Sequence, residues 1–194
     1  MLARLTMIAS GATAAARKGS FPADESLERQ ALDRARAAAP ALRRADRVWT
    51  SPALRARQTA EALGFDATLE PLLADQDFAH WAGRSFEEVQ AENPEGMAAW
   101  FADPGAAPHG GESLADVARR GAALMDGLLT RSGHTLAVTH PLLIRAAIVH
   151  VLGAPLSSAW KIDLEPLSLT EFRSDGRRWV LRASGVGFPD GPSG

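Results

Sequence analysis

The sequence predicts an α/β domain of three layers, with helices on both faces of a mainly parallel central sheet. Short apolar runs alternate with helical patterns for most of the 194 residues, which is the order a parallel sheet with crossover helices requires. Three of the apolar runs also end in polar residues: Ala9-Ser10-Gly11, Thr50-Ser51 and Thr139-His140. The chain shows neither an internal repeat nor a linker, and its length suits one domain with a sizeable core.

Leu5 to Ala9 is the first strand of this reading. Its apolar stretch is too short for a signal peptide and is interrupted by Thr6, so a buried strand is expected. "SLERQALDRARAAAP", Ser26 to Pro40, follows as a helix with Ser26 as N-cap and a proline at its end. "DRVWTSP" is a short strand breaking at Ser51-Pro52. There Ser51 is placed to cap a helix that Pro52 opens and that continues to about Leu63. "DATLEPLL" reads as another strand.

Residues 74 to 111 form an irregular excursion rich in Trp, Pro and Gly, with helical pieces near Ser85–Glu92 and Glu95–Phe101. Such an excursion inside a compact domain suits a lid or pocket wall. "SLADVARRGAALMDGLLT" is the clearest helix. Leu114, Val117, Ala118, Gly121, Leu124, Met125 and Leu128 share one face, and Ser113 with Asp116 makes a capping-box variant. "HTLAVTH" is a buried strand, and "PLLIRAAIVHVLG" a helix bounded by Pro141 and Gly153. "LSLTEF" and "RRWVLRAS" make an antiparallel hairpin. One domain over 1–184 and a flexible Gly- and Pro-rich tail over 185–194 are expected.

The formal net charge of -2 argues against nucleic-acid or membrane partners selected by bulk electrostatics. There is no cysteine, which removes disulfides, thiolate catalysis and cysteine metal sites and is compatible with a reducing cytoplasm. No run reaches transmembrane length.

In open α/β sheets, ligands bind beyond the carboxyl ends of the strands. His140 sits at such an end, just before a helix, beside the two other polar strand ends; Arg55 lies one turn into the helix after Ser51. His80, His109, His134 and His150 read as loop or helix-surface residues. No histidine pair has H-x-x-x-H spacing, so neither a metal nor another cofactor is expected.

Four segments in order resemble one family. "SPALRARQTAEALG" is similar to the S-P-x-x-R-A-x-Q-T-A signature of the histidine phosphatase superfamily, of phosphoglycerate mutase-like fold. "LADQDFAHWAGRSFEEV", "HGGESLADVARR" and "LAVTHPLLIRAAIVHVLG" resemble its L-x-E-x-x-F-G-x-W-E-G, G-G-E-S and V-x-H-G-x-x-I-R segments. The resemblance runs over roughly residues 3 to 172. It implies a phosphomonoester or inorganic phosphate as ligand.

The departures from that pattern are informative. Where the family's R-H-G supplies a phosphate-binding arginine and the nucleophilic histidine, this chain has Ala9-Ser10-Gly11. The family's acid, a glutamate, aligns with Asp75. The glycine after the second histidine aligns with Pro141, which has no N–H, and an asparagine often found six residues past the nucleophile aligns with Ala16. The resemblance therefore implies Ser10 (at the nucleophile's position), Asp75 and His140 as catalytic positions. It implies Arg55, Gly11 and Glu112 as phosphate-binding positions; Arg17 joins that set because it could, with Lys18, restore the positive charge that Ala9 removes.

Losing the imidazole nucleophile and a pocket guanidinium points to a family member that keeps the fold and a ligand pocket with little or no phosphatase activity, a pseudoenzyme. A re-tooled hydrolase is the sharper alternative: Ser10 beside His140, with Asp75 or Glu112 orienting the imidazole. A serine introduced to trap a substrate is a third reading, which Ala9 fits less well. A partner-binding scaffold without a small-molecule site is a fourth, in which the insertion bearing Trp81 and Trp100 would matter. In the enzyme-like readings, residues 73 to 111 line the leaving-group side, and Phe78 and Trp81 suggest a partly apolar substrate body.

Overall fold

The strand that begins the chain is buried on both faces, as its unbroken apolar run demands: Leu5, Met7, Ile8 and Ala9 are all fully covered. The computed structural model describes residues 3–188. In chain order the elements are β1 (Ala3–Ala9), α1 (Ala14–Arg17), α2 (Arg29–Ala38), β2 (Arg47–Thr50), α3 (Leu54–Ala62), β3 (Thr68–Leu69) and α4 (Phe86–Glu92). They continue with α5 (Pro94–Ala102), α6 (Leu114–Leu128), β4 (Gly133–Thr139), α7 (Pro141–Leu152), β5 (Leu169–Ser174) and β6 (Trp179–Val186).

The described residues form a six-stranded sheet of order β3-β2-β4-β1-β5-β6. β3, β2, β4 and β1 run parallel, while β5 and β6 close that edge as an antiparallel hairpin. Two apolar clusters flank the sheet and make the three layers. On one face Leu5, Met7 and Ala9 pack with Val117, Leu124 and Met125 of α6 and Leu143 and Ile144 of α7. On the other, Ile8, Leu136 and Val138 pack with Ala35 of α2 and Ala56 and Ala60 of α3. The α/β architecture with strands ending at Ala9, Thr50 and Thr139 side by side is the one predicted.

Several boundaries differ, each for a local reason. Helix α2 starts at Arg29, because Leu27 is held extended by a bridge to Thr13 and by its N–H donating to Gln58 Oε1 at 2.8 Å. Ser26 is therefore not its cap. Ser51 does not cap α3 either: its Oγ accepts from the Ala53 N–H at 3.2 Å in a turn, and the helix begins at Leu54. The strand expected over "DATLEPLL" shrinks to Thr68–Leu69, since Pro71 opens a 3-10 turn over Pro71–Leu73. The Ser113–Asp116 capping box is formed in full. Strand β6 continues to Val186, past the expected boundary at 184, and residues 189–194 of the expected tail lie outside the described residues. Among the described residues no helix is long and apolar enough to cross a membrane.

Candidate active site

The order β2-β4-β1 brings three strand ends to one edge, and this places Ser51, His140 and Ser10 there. The end of β1 is pinned by backbone bonds. Ser10 N–H donates to the Thr139 carbonyl at 2.8 Å, Ala9 N–H to Ser168 at 3.0 Å, and Leu167 N–H to the Ala9 carbonyl at 3.1 Å. Leu167 takes a left-handed φ of 67° to make this contact, a conformation that a non-glycine residue holds only where its surroundings enforce it.

Beside these ends lies a cavity of about 330 Å³ lined by Ser10, Arg55, Asp75 and His140, by Glu25 and Arg145, and by the aromatic side chains of Phe78, Phe86, Trp100 and Trp160. Arg55 is 6% exposed; it donates from Nη1 to the Ala23 carbonyl at 2.8 Å and from Nη2 to Asp75 Oδ2 at 2.5 Å. Asp75 Oδ1 accepts from the Gln76 N–H at 2.9 Å. Burial disfavours the charged Asp75 carboxylate, but the facing His140 and Arg55 more than offset this and hold its pKa below the ordinary value.

His140 is 1% exposed. Its Nε2 lies 2.8 Å from Ser51 Oγ and its Nδ1 3.5 Å from Asp75 Oδ2. Nε2 thus shares a hydrogen bond with the Ser51 hydroxyl, while Nδ1 faces the Asp75 carboxylate at the longer distance of an ionic contact. Burial pushes the imidazole pKa down to about 4, against the raising effect of Asp75. At neutral pH the ring is uncharged and both nitrogens face partners other than Ser10.

The remaining predicted site residues are placed differently. Gly11 lines the cavity, yet its N–H is committed to Thr59 Oγ1 at 3.0 Å. A Cβ there would come 3.1 Å from Leu27 Cδ2, just before α2, and 3.2 Å from the Ala31 Cβ on α2, so those neighbours would have to give way by a few tenths of an ångström. Arg17 is exposed, pairs with Glu28 at 2.7 Å, and is absent from the cavity lining. Glu112 also lies outside the lining, bound by Arg120 at 2.8 and 3.1 Å. Trp81 is 1% exposed and belongs to the aromatic core, whereas Phe78 does reach the cavity. Ala16 and Pro141 line the cavity as expected of their positions.

Two features were not legible as site parts. Arg120 donates to the carbonyls of Leu72 at 2.9 Å, Ala74 at 2.8 Å and Asp75 at 3.2 Å, so with Glu112 it fixes the loop carrying Asp75. His109, read as a surface residue, is fully buried; its Nδ1 accepts from the Gly111 N–H at 3.0 Å. His134 is likewise no loop residue: it lies in β4, with Nε2 2.9 Å from Thr6 Oγ1. A side chain at Gly111 would collide with the Asp77 carbonyl, and Gly110 holds a left-handed φ of 82°, so the two glycines before Glu112 serve different needs. Among the described residues no three His, Asp or Glu side chains are grouped so as to hold a metal ion.

Fold and site together define the class of α/β proteins that gather an arginine, a histidine and a carboxylate at the carboxyl edge of the sheet. The chain belongs to the histidine phosphatase superfamily, branch 1, whose family model matches residues 6–186. Among curated proteins it is similar to the bifunctional protein Rv2228c of Mycobacterium tuberculosis, 32% identical over 149 residues that make up 73% of this chain and 41% of that protein. It thus spans well under half of that relative's length. It is also similar to phosphoserine phosphatase 1 of Hydrogenobacter thermophilus, 29% identical over 70% of this chain and 68% of that one. Among solved structures, mycobacterial glucosyl-3-phosphoglycerate phosphatase Rv2419c in complex with VO3 matches with a TM-score of 0.84 and 27% identity, over 95% of this chain and 99% of that one. Its complex with inorganic phosphate matches with a TM-score of 0.80 at 25% identity, over 95% and 97% of the two chains.

Proposed function

We propose that this chain binds a phosphomonoester-type ligand in the Ser10–Arg55–His140 cavity and hydrolyses it very slowly or not at all. The observation that carries this reading is Ser10. It lies on the cavity at the position where the family resemblance puts a nucleophilic imidazole, and both nitrogens of His140, the base a serine nucleophile there would use, face other partners. Ala9 adds no charge, Pro141 no N–H, and the Arg55 guanidinium is shared with Asp75. The phosphate and vanadate complexes of similar phosphatases support phosphate as the recognised group. The aromatic lining supports a ligand with an apolar body. A cytoplasmic setting fits a chain without cysteine. The hydrolase reading built on a Ser10–His140 pair is disfavoured by the Ser51 contact.

The test compares the parent with Ser10→His on an aryl phosphate across pH, alongside thermal stabilisation by inorganic phosphate. Phosphate protection of both chains, with turnover only in the variant, is the expected result. Turnover by the parent that Ser10→Ala abolishes would overturn the inactive reading. No phosphate protection and no rescue would leave a binding surface without a phosphate site, and the proposal would fail.

A further inference from the structure

A second cavity, of about 200 Å³, lies toward the amino-terminal ends of β1 and β4 and shares no lining residue with the one at Ser10. It sits between the sheet face that carries Ile8, Leu136 and Leu169 and the segment 41–43 that follows α2. Along that face the side chains are apolar until Arg4, Thr6, His134 and Glu171 take over on three adjacent strands. Partly buried charges are stable there only where they are paired. The pairing is incomplete. Arg4 Nη2 donates to Glu171 Oε2 at 2.6 Å, with the two side chains 29% and 17% exposed. The other oxygen of Glu171 is taken by Arg173 Nε, from outside the cavity lining, at 2.9 Å. Thr6 Oγ1 and His134 Nε2 satisfy one another at 2.9 Å. Burial, with Arg4 adding to it, lowers the His134 pKa, so the ring is uncharged at neutral pH. Asp46, also outside the lining, accepts the His134 backbone N–H at 2.6 Å. Arg43, an exposed residue, is the second guanidinium on the cavity. The walls therefore hold two guanidinium groups against one carboxylate that is already shared, beside the apolar side chains of Leu42 and Val186.

We infer that this cavity is a binding site for a short-chain aliphatic monocarboxylate, with its headgroup at Arg4 and Arg43 and its chain against Leu42, Leu136 and Leu169. A planar carboxylate matches the guanidinium fork, and its single charge balances the excess in the walls, which a phosphate dianion would overshoot. The volume limits the chain. About 200 Å³ is below the range for drug-sized ligands and, at about 30 Å³ per water-sized group, admits roughly five or six carbons with the headgroup at the rim.

Amide NMR of the isotope-labelled full chain, titrated separately with hexanoate, hexanol and acetate, tests this. Hexanoate is expected to shift the amides of residues 41–43, Thr6, His134 and Glu171. It should bind about 10-fold more tightly than hexanol, the order of one charge-assisted hydrogen bond. Acetate, which lacks the chain, should bind at least as weakly as hexanol. Arg43→Glu changes an exposed side chain, so the amide spectrum should keep its dispersion while hexanoate binding weakens about 10-fold. Arg43→Lys keeps the charge and should retain most of the affinity. Hexanoate that shifts no amide of this cavity, or only those around Ser10 and His140, overturns the inference. So do equal affinities for hexanoate and hexanol, or an Arg43→Glu variant that binds hexanoate as the parent does.

Discussion

His140 shows how far a side chain's surroundings set its chemistry. Its pKa of about 4 stands below the ordinary 6.5 chiefly because the ring is buried, and the Asp75 charge recovers only part of that loss. As pH falls from about 6.5, the unfolded chain takes up a proton that the folded ring refuses, so stability falls between about 6.5 and 4. Asp75 acts in the same sense at lower pH: its carboxyl titrates below the ordinary value when folded, and its contribution goes as acid protonates it. Urea unfolding at pH 7 and pH 4 should therefore show a loss on the order of 3 kcal/mol from His140. His140→Gln keeps a polar group without the titration and should flatten that slope. It will not remove it, because burial also lowers the pKa values of His109 and His134. A slope unchanged by the substitution would mean that the ring takes up its proton in the folded state. That Ser10, Arg55, Asp75 and His140 meet at one cavity was legible in the sequence, because strand-end position and motif spacing bring them to one edge of the sheet. The partners of Gly11, Arg17 and Glu112, namely Thr59, Glu28 and Arg120, could not be read from the sequence, because they are set by tertiary packing that these residues' own motifs do not encode.

At the level of elements, the link between α6 and the loop carrying Asp75 fixes the site's carboxylate. The capping box at Ser113 starts α6, and about two turns later Arg120 reaches both Glu112 and three loop carbonyls. The helix itself was legible from its apolar face and cap. Its clamp was not, because it needs a 3-10 turn at Pro71–Leu73 where the composition suggested a strand. Removing the guanidinium leaves Glu112, 30% exposed at its side chain, without its cation and strips three carbonyls of a donor. Arg120→Gln should cost about 3 kcal/mol, as for a partly buried ion pair broken from one side. It should also weaken phosphate protection through Asp75. In Glu112→Gln the second substitution should cost distinctly less, since the stranded charge is gone. Equal costs in both backgrounds would show that the two side chains are not coupled.

For the molecule as a whole, the alternation of strands and helices was enough to predict the sheet and its layers. The independence of one part was not legible, since it depends on which aromatic residues meet. The sheet carries one apolar cluster on each face, whereas α4 and α5 pack into a third made of Phe21, Phe78, Trp81, Val89, Met97 and Trp100. Trp160 is the partly buried residue that packs against this third cluster and also against the one containing Leu142 and Val149 of α7. Its ring meets Trp100 at 4.8 Å and Phe101 at 5.5 Å. A satellite cluster held at such a joint opens at lower free energy than the sheet, and amide exchange resolves the two. The amides of α4 and α5 should exchange faster than those of β1 and β4. Trp160→Ala removes the joint and should speed α4–α5 exchange by about tenfold, an opening free energy smaller by about 1.4 kcal/mol, while β1 and β4 change far less. The same variant should bind phenyl phosphate more weakly but inorganic phosphate as before, because Trp160 gives the cavity apolar surface and no charged group. Uniform acceleration across all elements would show instead that α4 and α5 unfold with the sheet as one cooperative unit.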